Sequence, residues 1–196
     1  AISLLFGVTG TTNMLMIGER LSSGNLRLEP ITLVATALFI AGFGMKVAAV
    51  PFHMWIPDSY EGAPTTIAAL LAAGTKGGGF AALLRVFIVP LVLFKADWSI
   101  IFAIVALLTM TLGNVGALMQ KSFTRLLAYS SIAQSGYILI GLAAPTTLGI
   151  SGALFYILNY SIMKSAAFFA AAAVLVKLSS TTLDGYNGLG RRMPYT

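Results

Sequence analysis

Cysteine is absent from the sequence, and histidine occurs once, as His53. A chain without thiols has no disulfide, no cysteine-ligated iron–sulfur cluster, no zinc–thiolate site and no thiol nucleophile. A single histidine is too few for a His-rich metal site or a bis-histidine haem site. The sequence therefore excludes resident redox and metal centres of these kinds.

Charged residues are equally scarce, at 9% of the chain, while 58% of its residues are hydrophobic. Soluble domains carry about 25% charged and about 45–50% apolar residues. Because a compact soluble fold of 196 residues cannot bury this much apolar surface, the composition predicts an all-α polytopic membrane protein. The formal net charge of +6 fits the Lys/Arg bias of cytoplasmic loops. No dense basic tract is present to bind a phosphate backbone, so nucleic acid is not an expected partner.

Hydrophobic segments of about 20 residues are long enough to cross a membrane as a helix. The sequence has one partial and five complete segments, which form a single membrane domain over residues 1–196 without an internal repeat. They cover residues 1–17, the partial one, then 30–50, 65–94, 98–119, 126–143 and 147–177. The partial segment is short and interrupted by glycine, which indicates that the chain begins inside a helix. We also expect a polar connection from residue 18 and a short turn, KADW, at residues 95–98.

Proline and aromatic residues follow the second segment, in the run PFHMWIPDSYEGAPT (51–65). Pro51 has no N–H, so the carbonyl of Val47 loses its helical partner. The composition is typical of a broken helix end at a membrane interface. His53 titrates near neutral pH and is suited to switching, but a structural role is the simpler interpretation for a histidine in an interfacial loop. Glu61 is one of the few acidic residues, and it lies at the same interface.

Three lysines, Lys46, Lys76 and Lys164, lie within apolar segments, each more than ten residues after the segment begins. A lysine at the centre of a membrane helix costs about 2.5–3.5 kcal/mol, so three cost about 8–10 kcal/mol. Pairing with buried carboxylates is one explanation, but none of the five complete segments contains Asp or Glu. A desolvated lysine gives up its proton more readily than one in water, whereas arginine keeps its charge. We therefore interpret the lysines as a proton relay, with pairing to carboxylates on other chains as the alternative.

Glycines surround Lys76 in the run GTKGGGF, where they either clear space for water or allow close helix packing. Other polar side chains within the segments predict hydrogen bonds between helices, each worth less than about 2 kcal/mol. Packing is the default interpretation of these side chains, although each is also suited to holding a water in a proton chain. They are Asn114, Tyr129, Ser130, Ser131, Gln134, Tyr137, Asn159 and Tyr160.

Three stretches of the sequence form a specific set of motifs. They read GMKVAAVPFHMWIPDSYEGAPTTIAALLAAGTKGGGF (44–80), RLLAYSSIAQSGYILIGL (125–142) and GLGRRMP (188–194). Together they resemble the antiporter-like membrane subunits of respiratory complex I, the proton-translocating NADH–quinone oxidoreductase. The chain is most similar to the subunit N branch, the counterpart of mitochondrial subunit 2. It departs from the pattern of subunits L and M and of Mrp-type antiporters at Tyr60, Ala63 and Lys76.

The resemblance implies a fold of about fourteen helices built from two inverted repeats, of which this chain is an internal fragment. Lys46 matches the lysine on a broken helix that pairs with a glutamate, here expected before Ala1. Lys76 matches the central-axis lysine that passes the proton on. Lys164 falls on the following part of the axis, where a lysine is not universal in the family. The terminal lysine of the relay is expected beyond Thr196.

The resemblance also implies coupling without redox chemistry in this chain. Quinone, flavin and iron–sulfur clusters are expected on partner subunits, and no cofactor is expected in this one. The implied partners are the other membrane-arm subunits and the lipid bilayer, most simply that of a prokaryotic cell membrane. The alternative on the same scaffold is an Mrp-type cation/proton antiporter or the membrane subunit of a membrane-bound hydrogenase.

Overall fold

The computed structural model describes residues 1–23, 30–178 and 182–193, and these residues form helices joined by short turns, with no β-strand. Parts of the predicted polar connection (24–29) and of the C-terminal loop (179–181 and 194–196) lie outside the described residues. The helices are α1 (Ile2–Thr9), α2 (Met14–Ser23), α3 (Pro30–Val47), α4 (Trp55–Gly62), α5 (Thr65–Leu70), α6 (Lys76–Ile88), α7 (Lys95–Leu118), α8 (Phe123–Ala143), α9 (Thr147–Leu178) and α10 (Leu189–Arg192).

Five helical stretches are long and apolar enough to cross a membrane, which confirms the five complete segments. They are Pro30–Val47, Thr65–Ile88, Val92–Leu118, Phe123–Ala143 and Thr147–Leu178. The second of them combines α5, a π-helical turn at Leu71–Thr75 and α6. Apolar side chains exposed on their outer faces, such as Ile104, Leu107 and Phe155, suit contact with lipid.

The partial first segment is divided into two short helices. Gly10 adopts a left-handed conformation (φ 63°) and ends α1 with its N–H bonded to the carbonyl of Phe6. Asn13 then caps α2 by accepting a hydrogen bond from the N–H of Leu15 at 3.0 Å. Because α2 continues to Ser23, the polar connection expected from residue 18 begins as helix.

The boundary between the third and fourth segments differs from the prediction. Helix α6 ends at Ile88, two residues before Pro90, and α7 already begins at Lys95. Proline disfavours helix in the residue before it, which explains the early end of α6. The predicted KADW turn is therefore wrong, since it forms the first turn of α7, where the carboxylate of Asp97 suits the positive end of the helix dipole.

The predicted break near Pro51 is confirmed, because α3 ends at Val47 and the next helix begins at Trp55. Val47 is the residue whose carbonyl Pro51 leaves without a helical partner. The indole Nε1 of Trp55 folds back and donates to the carbonyl of Met45 at 2.9 Å. The aromatic residue thus satisfies one of the carbonyls at the open end of α3.

A left-handed residue closes the end of α3. Ala48 has φ 58°, and the N–H of Ala49 donates to the carbonyl of Gly44 at 2.8 Å. This is the Schellman arrangement, in which glycine is the usual left-handed residue. An alanine there costs about 1–2 kcal/mol. The hydroxyl of Thr109 on α7 holds the turn from the other side, by accepting a hydrogen bond from the N–H of Val50 at 3.0 Å.

Helix α8 lies at the centre of the described residues. Buried residues make up 61% of an apolar 18-residue stretch of α8, against 22% for the corresponding stretches that include α7 and α9, and α8 packs against α4, α7 and α9. Its contact with α7 is close: a Cβ added at Gly113 would lie 2.5 Å from the backbone nitrogen of Ala133. Polar side chains on α8 are therefore held inside the protein.

Candidate functional site

Lys76 is fully buried, and its side chain ends against α8. The Nζ atom lies 2.9 Å from each of three oxygens: the carbonyl and the hydroxyl of Ser131 and the hydroxyl of Ser135. An ammonium group has three N–H donors and no acceptor. The three oxygens therefore match the hydrogen-bonding capacity of a protonated lysine.

The backbone before Lys76 is irregular. Residues Leu71–Thr75 form a π-helical turn, and Lys76 begins α6 directly after it. The hydroxyl of Thr75 donates to the carbonyl of Leu71 at 2.6 Å. A π-helical turn carries an extra residue within a helix, so it rotates the residues that follow, and such turns are frequent at functional sites. Here the rotated residue is the lysine that faces α8.

Lys164 reaches the same helix from α9. Only 4% of this residue is exposed, and its Nζ donates to the hydroxyl of Ser130 at 2.6 Å and to the carbonyl of Leu127 at 3.4 Å. Ser130 and Ser131 are consecutive, so their side chains diverge by about 100° around α8. The amines of Lys76 on α6 and Lys164 on α9 thus bind the hydroxyls of two consecutive serines on α8.

Tyr160 connects the two lysine-bearing regions. Its hydroxyl lies 2.5 Å from the hydroxyl of Ser131, and either oxygen is able to donate. The Nζ of Lys76 is 5.9 Å from the centre of the tyrosine ring, within the range of a cation–π interaction. Tyr160 precedes Lys164 by one turn of α9, so both project toward α8.

Hydroxyl and carbonyl oxygens are the hydrogen-bond partners of both buried amines within the described ranges. A carboxylate partner, the structural alternative for a buried lysine, does not contact either amine in this part of the chain. Nor do the described residues contain a cluster of three or more His, Asp or Glu side chains suited to a metal ion. The described contacts of the two amines are therefore hydrogen bonds to neutral oxygens of α8.

Lys46 is the penultimate residue of α3, and the described residues leave its side chain exposed. It lines a cleft of about 570 Å³ together with Phe43 and Ala1. Its stem packs on α6, where a Cβ added at Gly79 would lie 3.1 Å from the Cγ of Lys46. The predicted role of Lys46 in a proton relay stays a prediction.

The remaining predicted residues lie at the surface near the break. Pro51 is exposed. His53 is half-buried, and burial lowers its pKa. Glu61 and Asp58 on α4 both bind the guanidinium of Arg125 on α8, at 2.9 Å and 3.1 Å. This exposed ion pair joins the segment after the break to the helix that carries the serines, although such pairs add little stability.

Sequence reasoning missed the strongest contacts of the site. Ser130, Ser131 and Tyr160 were expected to pack between helices, and Ser135 was not singled out. The available signal was the run SSIAQS, in which Ser131 and Ser135 are four residues apart and so share one helix face. Two of the expected links between helices are present, the hydrogen bond of Tyr156 to Gln134 and that of Asn114 to Tyr137.

Curated relatives match almost the whole chain. F420H2 dehydrogenase subunit N of Methanosarcina mazei is 46% identical over 98% of this chain and 41% of the relative. NADH-quinone oxidoreductase subunit N of Trichlorobacter lovleyi is also 46% identical, over 98% of this chain and 40% of the relative. The chain therefore spans about two fifths of the length of these relatives.

Solved structures show the same arrangement of helices. A chain of the archaeal membrane-bound sulfane sulfur reductase is 30% identical, with a TM-score of 0.84 over 98% of this chain and 39% of its own length. A chain of respiratory complex I from Thermus thermophilus is 34% identical, with a TM-score of 0.74 over 98% of this chain and 40% of its own length. The family model described as "NADH:quinone oxidoreductase/Mrp antiporter, TM" matches residues 1–196. The chain, with its two buried lysines joined through α8, belongs to the NADH:quinone oxidoreductase/Mrp antiporter family of transmembrane proteins.

Proposed function

We propose that this chain is part of a proton-translocating membrane subunit in a redox-driven complex that transfers electrons to a quinone. The observation that supports this most strongly is the pair of buried lysines, Lys76 and Lys164, whose amines reach consecutive serines of α8. The relatives named for NADH-quinone oxidoreductase and F420H2 dehydrogenase support the redox partner. The electron donor in this proposal is accordingly NADH or reduced F420, and it binds another subunit.

Proton transfer in this proposal depends on the hydrogen-bonding capacity of the Lys76 amine. The protonated amine donates to three oxygens, whereas a neutral amine has two donors and one lone pair. A serine hydroxyl can rotate and donate to that lone pair, because it both donates and accepts. Both protonation states therefore find partners in the same pocket, and the proton is exchanged without moving a helix.

Repulsion between the two lysines would couple their protonation in this relay. Their amines bind neighbouring residues of one helix, Ser131 and Ser130. Two like charges close together in a poorly hydrated interior disfavour each other's charged form. A proton arriving on one lysine therefore promotes release from the other.

Lys46 is proposed as the member of the relay that receives the coupling signal. Its exposed side chain lines a cleft beside residues 1–3, and its stem contacts the helix of Lys76 at Gly79. A carboxylate from a preceding segment of the subunit or from a membrane-arm neighbour would stabilise its charge. A change of charge elsewhere in the complex, transmitted to that pair, would then alter the proton affinity of Lys46.

Partner subunits complete the proposal. The solved relatives belong to respiratory complex I and to a membrane-bound sulfane sulfur reductase. We place the quinone, flavin and iron–sulfur clusters on such partners and propose a prokaryotic cell membrane as the location. His53 and Glu61 then have structural roles at the interface near the break.

An Mrp-type cation/proton antiporter is the second candidate, because the family description covers both classes. Sodium prefers a shell of oxygen ligands, and oxygens do surround the site. However, the Lys76 amine already lies 2.9 Å from three of these oxygens. A lysine in that position competes with a metal cation, so the geometry favours proton transfer.

The two candidates are separated by what drives proton movement in vesicles that contain the purified full-length complex. For a redox-driven pump we expect acidification or alkalinisation of the lumen on adding NADH or reduced F420 with a quinone, and none on imposing a sodium gradient alone. An antiporter gives the reverse pattern. Proton movement that follows sodium and ignores both donors would overturn the proposed function.

Lys164→Ala is expected to slow proton uptake less than loss of Lys76, because Lys164 binds one serine hydroxyl and a more distant carbonyl. The expected loss is about two- to fivefold, below the 10²-fold that a fully committed acid–base group contributes. The measurement is the initial rate of donor-driven proton uptake by vesicles with equal subunit content. Lys177→Ala, at the exposed end of the same helix, is the matched control and should retain the wild-type rate.

A further inference from the structure

The turn that ends α3 is both buried and strained. Its residues 47–50 are at most 6% exposed, and Ala48 has φ 58°. Residues with a side chain seldom adopt this left-handed conformation. A strained turn persists only where the surrounding structure holds it, so the contacts of this turn with other helices decide its position.

The N–H of Val50 makes such a contact with α7. In an uninterrupted helix this N–H would donate to the carbonyl of Lys46, four residues earlier. Instead it donates to the hydroxyl of Thr109 at 3.0 Å. Thr109 is fully buried, and its own hydroxyl proton is donated to the carbonyl of Val105 at 2.6 Å. The hydroxyl of Thr109 therefore faces the turn as an acceptor, in place of the carbonyl of Lys46.

Thr109 also lies on the face of α7 that packs closely on α8. Ala106 and Gly113, three residues before it and four after it, share this face. A Cβ added at Gly136 of α8 would lie 2.9 Å from the carbonyl oxygen of Ala106, and one added at Gly113 would lie 2.5 Å from the backbone nitrogen of Ala133. The turn that ends α3 is therefore bonded to a helix whose backbone is fixed against α8, the helix that carries the serines of the site.

The position of Lys46 depends on this turn. Lys46 lies four residues before Val50, and its stem packs on α6, where a Cβ added at Gly79 would lie 3.1 Å from the Cγ of Lys46 and 3.4 Å from the Cγ1 of Val47. Gly79 follows Lys76 by three residues on the same helix. A shift of the turn would therefore move Lys46 along α6 and change its position relative to Lys76.

We propose that Thr109 is a positioning residue of the proton relay. Its hydroxyl fixes the turn that ends α3, and so holds Lys46 at a set place relative to the Lys76 site. The described hydrogen bonds of Thr109 go to Val50 and Val105, so Thr109 acts through the position of Lys46 and not by exchanging a proton. This inference rests on the proposed function, in which Lys46 and Lys76 are members of one relay.

The test is donor-driven proton uptake by the full-length subunit, within its purified complex in vesicles, with NADH or reduced F420 as the complex requires. Thr109→Val removes the hydroxyl and keeps the shape of the side chain. We expect it to slow proton uptake by about fivefold, the factor by which loss of one hydrogen bond shifts an equilibrium. Thr109→Ser keeps the hydroxyl and should retain the wild-type rate.

Thr111→Val is the matched control on the same helix. The hydroxyl of Thr111 makes the same kind of bond within α7, to the carbonyl of Leu107 at 2.9 Å, but its side chain is exposed. This variant should retain the wild-type rate. A wild-type rate in Thr109→Val, while Lys76→Ala is impaired, would overturn the inference and leave the proposed function standing. A wild-type rate in Lys76→Ala would instead show that the proposed function is wrong.

A double variant separates positioning from a general loosening of the fold. If Thr109 acts through Lys46, Thr109→Val should slow proton uptake no further in a subunit that already carries Lys46→Ala. Independent effects add as free energies and so multiply as rates. A further loss of about fivefold in the Lys46→Ala subunit would therefore contradict the inference.

A second pair of variants keeps the inference testable if Thr109→Val does not assemble. Thr109→Ser and Thr109→Ala both lack the methyl group and differ only in the hydroxyl, so the serine variant should take up protons about fivefold faster. Equal rates in this pair would overturn the inference. Failure of both Thr109→Val and Thr109→Ala to assemble would also overturn it, because the hydroxyl would then maintain the fold and not the position of Lys46.

Discussion

Lys76→Ala in the full-length subunit is expected to lower the rate of donor-driven proton uptake by about 10²-fold, the contribution of a fully committed acid–base group. The substitution removes the amine that joins Ser131, Ser135 and, through Ser131, Tyr160. Assembly should be retained, because the hydroxyl of Ser135 already donates to the carbonyl of Ser131 at 3.1 Å and is not left without a partner. The measurement is proton uptake by vesicles normalised to the amount of assembled subunit.

Lys76→Arg separates charge from proton exchange at the same position. Arginine keeps the positive charge and donates to the same oxygens, but it does not release its proton in proteins. We therefore expect Lys76→Arg to be as impaired as Lys76→Ala. Lys95→Ala, at the exposed start of α7, should behave as the wild type. If Lys76→Arg pumps at the wild-type rate, Lys76 acts only through its charge, and the relay in its present form is incorrect.

The membrane spans were predictable from sequence because their signal is local. Twenty consecutive apolar residues define a span whatever surrounds them, and Pro51 ends a helix through its own missing N–H. The burial of Lys76 and Lys164 followed from the same reasoning, since each lies deep within an apolar segment. These predictions required no knowledge of which helix packs against which.

The orientation of Lys46 was not predictable in this way. Whether a residue near a helix end faces inward depends on the rotation of that helix and on its neighbours. Here the left-handed Ala48 ends α3 one residue after Val47. The helix therefore finishes immediately after the lysine, at a position that hydropathy alone did not locate.

The contacts of Lys76 with Ser131 and Ser135 were not predictable from local sequence either, because these residues are 55 and 59 positions apart in the chain. They depend on the packing of both α6 and α8 against α9, and on the π-helical turn that sets the rotation of Lys76. Hydropathy reports neither property. A pair of serines four residues apart marks a polar face of α8, but only the packing shows that two lysines and a tyrosine meet it.

Gly113→Ala is expected to destabilise the contact between α7 and α8 by about 1–3 kcal/mol, the usual cost of overpacking. An added Cβ would lie 2.5 Å from the backbone nitrogen of Ala133 and 2.8 Å from its Cα. Because these are backbone atoms, no change of side-chain conformation relieves the clash, and α8 has to move. The measurement is the thermal stability of the purified subunit or complex in detergent, followed by the loss of soluble, assembled protein on heating.

The displacement of α8 should also impair proton uptake, since Ala133 lies midway between Ser131 and Ser135 and about 200° around the helix from each. A clash of α7 with Ala133 therefore displaces the serine face toward α6 and α9. The hydroxyls on that face already lie 2.5–2.9 Å from the Lys76 amine and the Tyr160 hydroxyl, so the displacement disrupts these hydrogen bonds. Gly152→Ala on α9 is the matched control, because nothing lies within 4 Å of its added Cβ. That variant should be as stable as the wild type or slightly more stable, since alanine is the better helix former. If Gly113→Ala matches Gly152→Ala in both stability and proton uptake, the close α7–α8 contact does not hold the serines in place.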